Sequence, residues 1–433
     1  MSESISEAPY FPRRPLTQED LGIPENQIYN LILRILAQAG PQTGADIAQT
    51  MRVSYSCINK TVLKLSRDGK IQSQGTDTRL TQQTEMIEAG LKYSLVPGEK
   101  DAVEAAKKNS LYVGPLPVSL EDYTDAIVRQ ALPPNFATKE NLRHALASLV
   151  LSDETIDLIG PALNSRSSIF VYGNPGNGKS TIARSVRQLV AGGVYLPVAI
   201  ADENHIIKLY DPAHHNPLRQ QNPQADPRWI LCQRPFIQIG GELKMSMLDL
   251  TWNETSRYYE APLQLKANSG MLLIDDFGRQ EMPASAILNR FIIPLEEGLD
   301  YLNLSTIGKK IEIPFGMILF FSTNIQPKDL AEEAFLRRIR HKIKIPDPLP
   351  DQYKEIFIQE ARRMGFANGD QAADFILEQF YPKDEKGNKN LRGCHPRDIL
   401  LHVAELAGYL GEPLELTQDL IRAACLAHFV DEL

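Results

Sequence analysis

The chain has 433 residues, 43% of them hydrophobic and 23% charged, and its 54 acidic against 46 basic side chains give a formal net charge of -8. That length exceeds one ordinary domain, the composition argues against large-scale disorder, and the acidic balance excludes the broad positive field of an indiscriminate nucleic-acid binder. Cys57, Cys232, Cys394 and Cys425 lie far apart without CxxC or Cys/His ligand spacing, which argues against a disulfide framework or a zinc site. No apolar run approaches about 18 residues, so neither export nor membrane insertion is expected and a reducing cytoplasm is the expected compartment.

Residues 1–20 read as a flexible polar tail. Ile28, Leu31, Ile32, Ile35 and Leu36 then fall on one helical face that Gly40 and Pro41 close. A short helix carrying Ile47 and Met51 follows. In a third helix, from about Ser54 to Asp68, Ile58, Val62 and Leu65 mark the buried side and Lys60, Lys64 and Arg67 recur on the other. Lys70 to Thr81 is polar and turn-rich, and Tyr93 to Leu95 precedes an Ala-rich helix near Glu99 to Lys108. Three helices and a ribbon predict a winged-helix-like domain over residues 21–110. Residues 111–160 read as a linker with Gly114, Pro115 and Pro117, then two helical stretches.

From Ser168 the pattern changes to short apolar runs separated by helices: Ile169 to Tyr172, Val194 to Ile200, Met271 to Ile274 and Met317 to Phe321. Strands covered on both faces look like this, so a parallel α/β sheet is expected over residues 161–345. After Pro346 the strands stop, and four helical segments predict a small all-helical lid over residues 346–433.

Gly173, Asn174, Pro175, Gly176, Asn177, Gly178, Lys179, Ser180 and Thr181 satisfy GxxxxGK[ST] between an apolar strand and a helix, the setting in which that spacing makes a P-loop. The glycines let successive N–H groups turn inward on a β-phosphate, and the helix start adds its partial positive charge. Lys179 supplies a full charge to the β- and γ-phosphates of ATP, and Ser180 offers its hydroxyl to Mg2+. Met271 to Ile274 then delivers Asp275 to the same metal, while Asp276 is placed to orient or deprotonate the attacking water.

With these two motifs the chain resembles the AAA+ ATPase superfamily, and the P-loop NTPase fold is the fold this implies. Ser322, Thr323 and Asn324 look like the sensor 1 position, where Asn324 would contact the γ-phosphate or its water. The segment from Glu333 to Arg340 is similar to the family's arginine-finger segment, with Arg338 preferred over Arg337. Arg397, opening a helix after Pro396, sits where the family places sensor 2. Tyr301 to Ile313 around Gly308 reads as a β-hairpin before the sensor 1 strand, similar to the groups related to magnesium chelatase and to bacterial enhancer-binding activators. It is either a channel-facing hairpin or an ordinary hairpin edge.

Asp276 departs from the glutamate common at that place and is one methylene shorter, which leaves room for slower hydrolysis. Residues 201–241 form an extra stretch with His214 and His215; adjacent histidines diverge in most backbones, so a surface insertion is favoured over a metal site. The resemblance implies a ring, most simply a homohexamer, whose ATP hydrolysis remodels a partner macromolecule. The alternative is a nucleotide-dependent binding switch with little turnover. A protein partner is favoured over DNA, because three cations on an exposed helix are ordinary.

Overall fold

Apolar runs without polar alternation build the central sheet, since strands covered on both faces have no solvent side. The computed structural model describes residues 10–76, 89–330, 337–381 and 390–429. Five parallel strands stand in the order Phe236–Ile239, Met271–Ile274, Ile318–Thr323, Ser168–Tyr172 and His341–Lys344. Alternate residues serve opposite faces. Ile169, Val171, Leu273 and Phe320 pack with Ile182 and Val186 of the helix Lys179–Val186, whereas Phe170, Leu272, Leu319 and Phe321 pack with Ile287, Leu288 and Phe291.

One expected strand of this sheet lies elsewhere. Val194 to Ile200 is split, with Gly193–Pro197 antiparallel to Trp229–Gln233 and Ala199–Asp202 in a second, mixed sheet. The edge position belongs to Phe236–Ile239, inside the stretch that reads as a surface insertion. Gly270 permits that pairing: a Cβ there would lie 2.1 Å from the Pro235 carbonyl, which accepts the Met271 N–H. The insertion is also partly core. His215 is buried, its Nδ1 accepts from the Asp211 N–H at 3.0 Å, and its Nε2 is therefore the donor to the Lys266 carbonyl at 2.9 Å.

The second sheet runs Thr251–Asn253, Tyr258–Glu260, His205–Lys208, Ala199–Asp202, Val118–Ser119. Against it packs the hairpin of Leu299–Leu304 and Lys309–Pro314, whose inward residues Leu302, Leu304, Ile311 and Ile313 share a core with Ile200, Ile207 and Tyr259. Its tip is tied down. Thr306 N–H donates to the Tyr259 hydroxyl at 2.9 Å, and Lys309 pairs with Asp202 and Glu203 at 2.8 and 3.0 Å.

Toward the amino terminus, helices Glu25–Ala39, Gly44–Met51 and Asn59–Arg67 are followed by Ile71–Thr76 and Leu91–Leu95, which form a three-stranded antiparallel sheet with Gln42–Thr43. Thr43 and Asp46 exchange backbone hydrogen bonds as a capping box and start the second helix there. Tyr112 and Leu116, from the expected linker, are buried in this unit's core together with Ala199 and Ile206 of the second sheet. In the expected tail, the Pro12 carbonyl accepts from Asp226 N–H and Arg14 Nε donates to the Ala225 carbonyl. Two cations of the third helix are paired, Lys60 with Glu19 at 2.5 Å and Lys64 with Glu25 at 2.6 Å.

At the other end, helices Pro350–Arg363, Gly369–Gln379, His395–Leu410 and Gln418–His428 enclose Tyr353, Phe357, Ile376, Ile399, Val403 and Ile421. No described helix is long and apolar enough to cross a membrane.

Asn268 joins three elements. Its Nδ2 donates to the Tyr123 hydroxyl at 2.9 Å and the Pro314 carbonyl at 2.8 Å, and its Oδ1 accepts from Gly316 N–H at 2.9 Å. It is 1% exposed, so Asn268→Ala leaves three polar groups without their partner and should cost about 2–4 kcal/mol. Urea denaturation followed by circular dichroism measures this, and an unshifted midpoint would rule out a structural role for Asn268.

Candidate nucleotide-binding site

Because the five strands are parallel, whatever follows each of them collects at one edge of the sheet. Thr323 pairs with Tyr172, so Asn324 and Gly173 leave their strands level with each other. Ile274 pairs with Phe321, which pairs with Phe170, so Asp275 emerges level with Ser322 and Val171.

The loop after Tyr172 needs its glycines. Gly173, Gly176 and Gly178 have φ of 150°, 81° and 78°, the region that side chains disfavour. A Cβ on Gly173 would sit 2.2 Å from the Ile345 carbonyl, and one on Gly176 would sit 2.4 Å from Cys394 Sγ. The loop curls over Lys179, whose Nζ donates to the Asn174 carbonyl at 2.8 Å. Lys179 is only 8% exposed. Burial lowers its pKa, Asp276 and Asp275 oppose that shift, and Arg392 adds to it. Thr181 follows half-buried, whereas Asn174, Pro175 and Gly176 form the exposed rim and Asn177 is buried.

Across the loop, Ser180 Oγ donates to Asp275 Oδ1 at 2.6 Å and lies 3.4 Å from Ser322 Oγ. Gln238, from the edge strand, donates to the other Asp275 oxygen at 2.9 Å. Asp276 is exposed and has φ of 47°, a strained conformation that turns the chain sharply. Gln280 Nε2 fixes that turn by donating to the Asp275 and Asp276 carbonyls at 3.1 and 3.3 Å. Thr323 Oγ1 ties it to the neighbouring strand through the Phe277 carbonyl at 2.6 Å.

The oxygens of Ser180 and Asp275, within hydrogen-bond distance of each other, are hard donors of the kind Mg2+ takes from a protein when phosphates and water fill the rest of its shell. Beside the loop lies a cavity of about 250 Å3 with Val150, Leu151, Ile345, Pro346, Leu349 and Ile356 among its lining residues. A flat apolar ring fits such a slot.

Other sequence-predicted residues fall at differing distances from this centre. Asn324 is half-buried at its strand end. Arg338 donates to Glu296 on the helix Ile292–Glu297, and Arg337 is exposed beside it, while the Glu333 to Leu336 part of that segment lies outside the described residues. Arg397 turns to Asp398, 3.0 Å away, with its side chain 55% exposed. Arg392 reaches the loop through Asp347. Gln238, Asp347 and Arg392 carry no local signal that could single them out, since each belongs to an element whose position depends on the fold.

Comparison with protein families matches residues 349–427 to a domain of unknown function, DUF8689. No curated protein matches. Among solved structures, NtrX from Brucella abortus, in complex with ATP, is similar at 14% identity and a TM-score of 0.37, over 75% of this chain and 62% of that one. The chain thus spans less than two thirds of NtrX. A mutant of Thermotoga maritima RuvB is similar at 13% identity and a TM-score of 0.37, over 69% of this chain and 74% of that one. Likenesses this low carry no inference about function.

Gly176→Ala tests the loop directly. The added methyl meets Cys394 and the φ of 81° is costly for alanine, so ATP affinity should fall more than about tenfold with the circular dichroism spectrum unchanged. Titration calorimetry that found ATP binding unaltered would remove the loop from the site.

Proposed function

We propose that the chain is a Mg2+-dependent ATPase of the AAA+ type, with an amino-terminal winged-helix-like domain and a carboxyl-terminal helical lid, acting in a ring on a macromolecular partner. The observation that carries this reading is the 2.6 Å hydrogen bond between Ser180 and Asp275, which joins the GxxxxGK[ST] helix to the acidic strand across the strand Ile318–Thr323 that leads to Asn324. The loop N–H groups and Lys179 bind the phosphates, exchanging the Asn174 carbonyl for a phosphate oxygen. Ser180 and Asp275 hold the metal, which when bound neutralises charge on the β- and γ-phosphates. Asp276 orients the attacking water and takes its proton, and Asn324 holds the same water or the γ-phosphate. The apolar cavity beside Val150 and Leu349 takes the adenine.

Arg338 acts on a neighbouring subunit. His341 is level with Ile169, four residues ahead of Gly173, or roughly 13 Å along the strand, and Arg338 precedes His341. Its own P-loop is therefore at the opposite end of the sheet. A ring, most simply a hexamer, brings the next subunit's γ-phosphate to it. The pairing of Lys60 and Lys64 with Glu19 and Glu25 supports a protein partner over DNA, because two of the three cations of that helix already have carboxylates.

Lys179→Ala should abolish ATP binding, whereas Asp276→Asn should retain ATP and lose turnover, read by calorimetry and by phosphate release; normal hydrolysis by Asp276→Asn would move the base elsewhere. Arg338→Ala should bind ATP and hydrolyse it slower by on the order of 10³ to 10⁵. Mixed with Lys179→Ala it should regain activity, since the mixed interface pairs an intact loop with an intact finger. Co-assembly without recovery would favour a nucleotide-dependent switch. Duplex DNA should bind weakly, with a log-log salt slope no steeper than roughly -3; tight binding that survives high salt would reverse the preference for a protein partner.

A further inference from the structure

A carboxylate stands at the mouth of the loop, on the side of the carboxyl-terminal helices. Asp347 follows the strand His341–Lys344 by three residues, at the start of the connection to those helices. Three side chains converge on it. Asn174 Nδ2 donates to its two oxygens at 3.0 and 2.9 Å, Asn177 Nδ2 donates to Oδ1 at 2.7 Å, and Arg392 Nη1 lies 2.5 Å from Oδ1. Burial raises this carboxyl's pKa, but the bonds from Asn174, Arg392 and Asn177 outweigh it and hold it below its ordinary value.

Thus the P-loop, the connection and the turn before helix His395–Leu410 all meet on one negative charge. The turn is drawn closer still: Gly393 N–H donates to Asn177 Oδ1 at 3.1 Å, and a Cβ on Gly393 would lie 3.1 Å from the Gly176 carbonyl. Arg392 is near enough to Lys179 to disfavour the charge of the lysine. A guanidinium donates to a phosphate as it does to a carboxylate, so the terminal phosphate of a nucleotide suits these donors as Asp347 does.

We propose that Asp347 is a built-in competitor of nucleotide phosphate: without nucleotide it holds Arg392 and the two loop asparagines, and on binding Arg392 passes to the terminal phosphates and fastens the carboxyl-terminal helices to the nucleotide. This rests on the nucleotide-site reading above. Arg392 is then a phosphate contact in its own subunit and Asp347 a latch that sets how readily the site fills.

Calorimetry of Mg·ATP and of AMP on the full chain tests both roles. Arg392→Ala should weaken ATP about tenfold and leave AMP, which has no β- or γ-phosphate, unchanged; Arg392→Lys should recover part of the loss. Asp347→Asn keeps an acceptor for the asparagines and removes the charge, so ATP should bind about three- to tenfold tighter. In the double variant the gain should vanish, since the group released by Asp347 is gone. Weaker ATP binding by Asp347→Asn, or equal ATP binding by Arg392→Ala and wild type, would overturn the latch alone. Wild type that bound no ATP would overturn the nucleotide site and the latch together. Thermal melts of the nucleotide-free variants separate these results from misfolding: Asp347→Asn that melts with the wild-type transition and still fails to tighten ATP also overturns the proposal.

Discussion

The hydrogen bond from Ser180 to Asp275 exists only because the strands Ser168–Tyr172 and Met271–Ile274, which precede them, run parallel with one strand between them. A one-residue slip of register would turn side chains to the opposite face and carry Asp275 away from the loop. The register is held from both faces, by Ile169, Val171, Leu273 and Phe320 on one side and Phe170, Leu272, Leu319 and Phe321 on the other. Each of these residues is buried, so a shifted strand would exchange packed apolar groups for voids. The placement of two oxygens thus depends on the packing of the whole sheet. Glycine at 173 and 270 matters for the same reason, since in both places another backbone passes where a Cβ would stand.

Around that sheet, polar contacts connect elements that hydrophobic packing alone would leave free to slide. Lys309 on the hairpin binds Asp202 and Glu203, and the Glu203 carbonyl accepts from Gln27 Nε2 at 2.8 Å on the first helix. The amino-terminal unit and the hairpin therefore touch the same turn. Gln27 is 4% exposed, so its amide is held largely out of water at this contact. On the opposite side, Asp347 joins the loop to the carboxyl-terminal helices by the same means. Polar contacts thus fasten the α/β core to both flanking units.

The sequence by itself determined whatever is local. The apolar run before Gly173, the glycine spacing and the helix start at Lys179 all lie within a few residues, so strand, loop and helix could be read in order. The face of Glu25–Ala39 and the four carboxyl-terminal helices were legible because an amphipathic period needs no distant partner. The hairpin around Gly308 was legible from alternation on both sides of a turn glycine. What only the tertiary structure decided is which of these segments meet. Val194 to Ile200 and Phe236 to Ile239 are both short apolar runs, and only strand pairing shows that the second joins the central sheet. Lys60 and Lys64 read as an open cationic face until Glu19 and Glu25 folded back on them. Arg392 and Arg397 are chemically alike five residues apart, and what separates them is that one side chain finds Asp347, 45 residues earlier in the chain, and the other its own neighbour. Pairing over such distances is set by the packing of the whole core, which no short stretch of sequence contains.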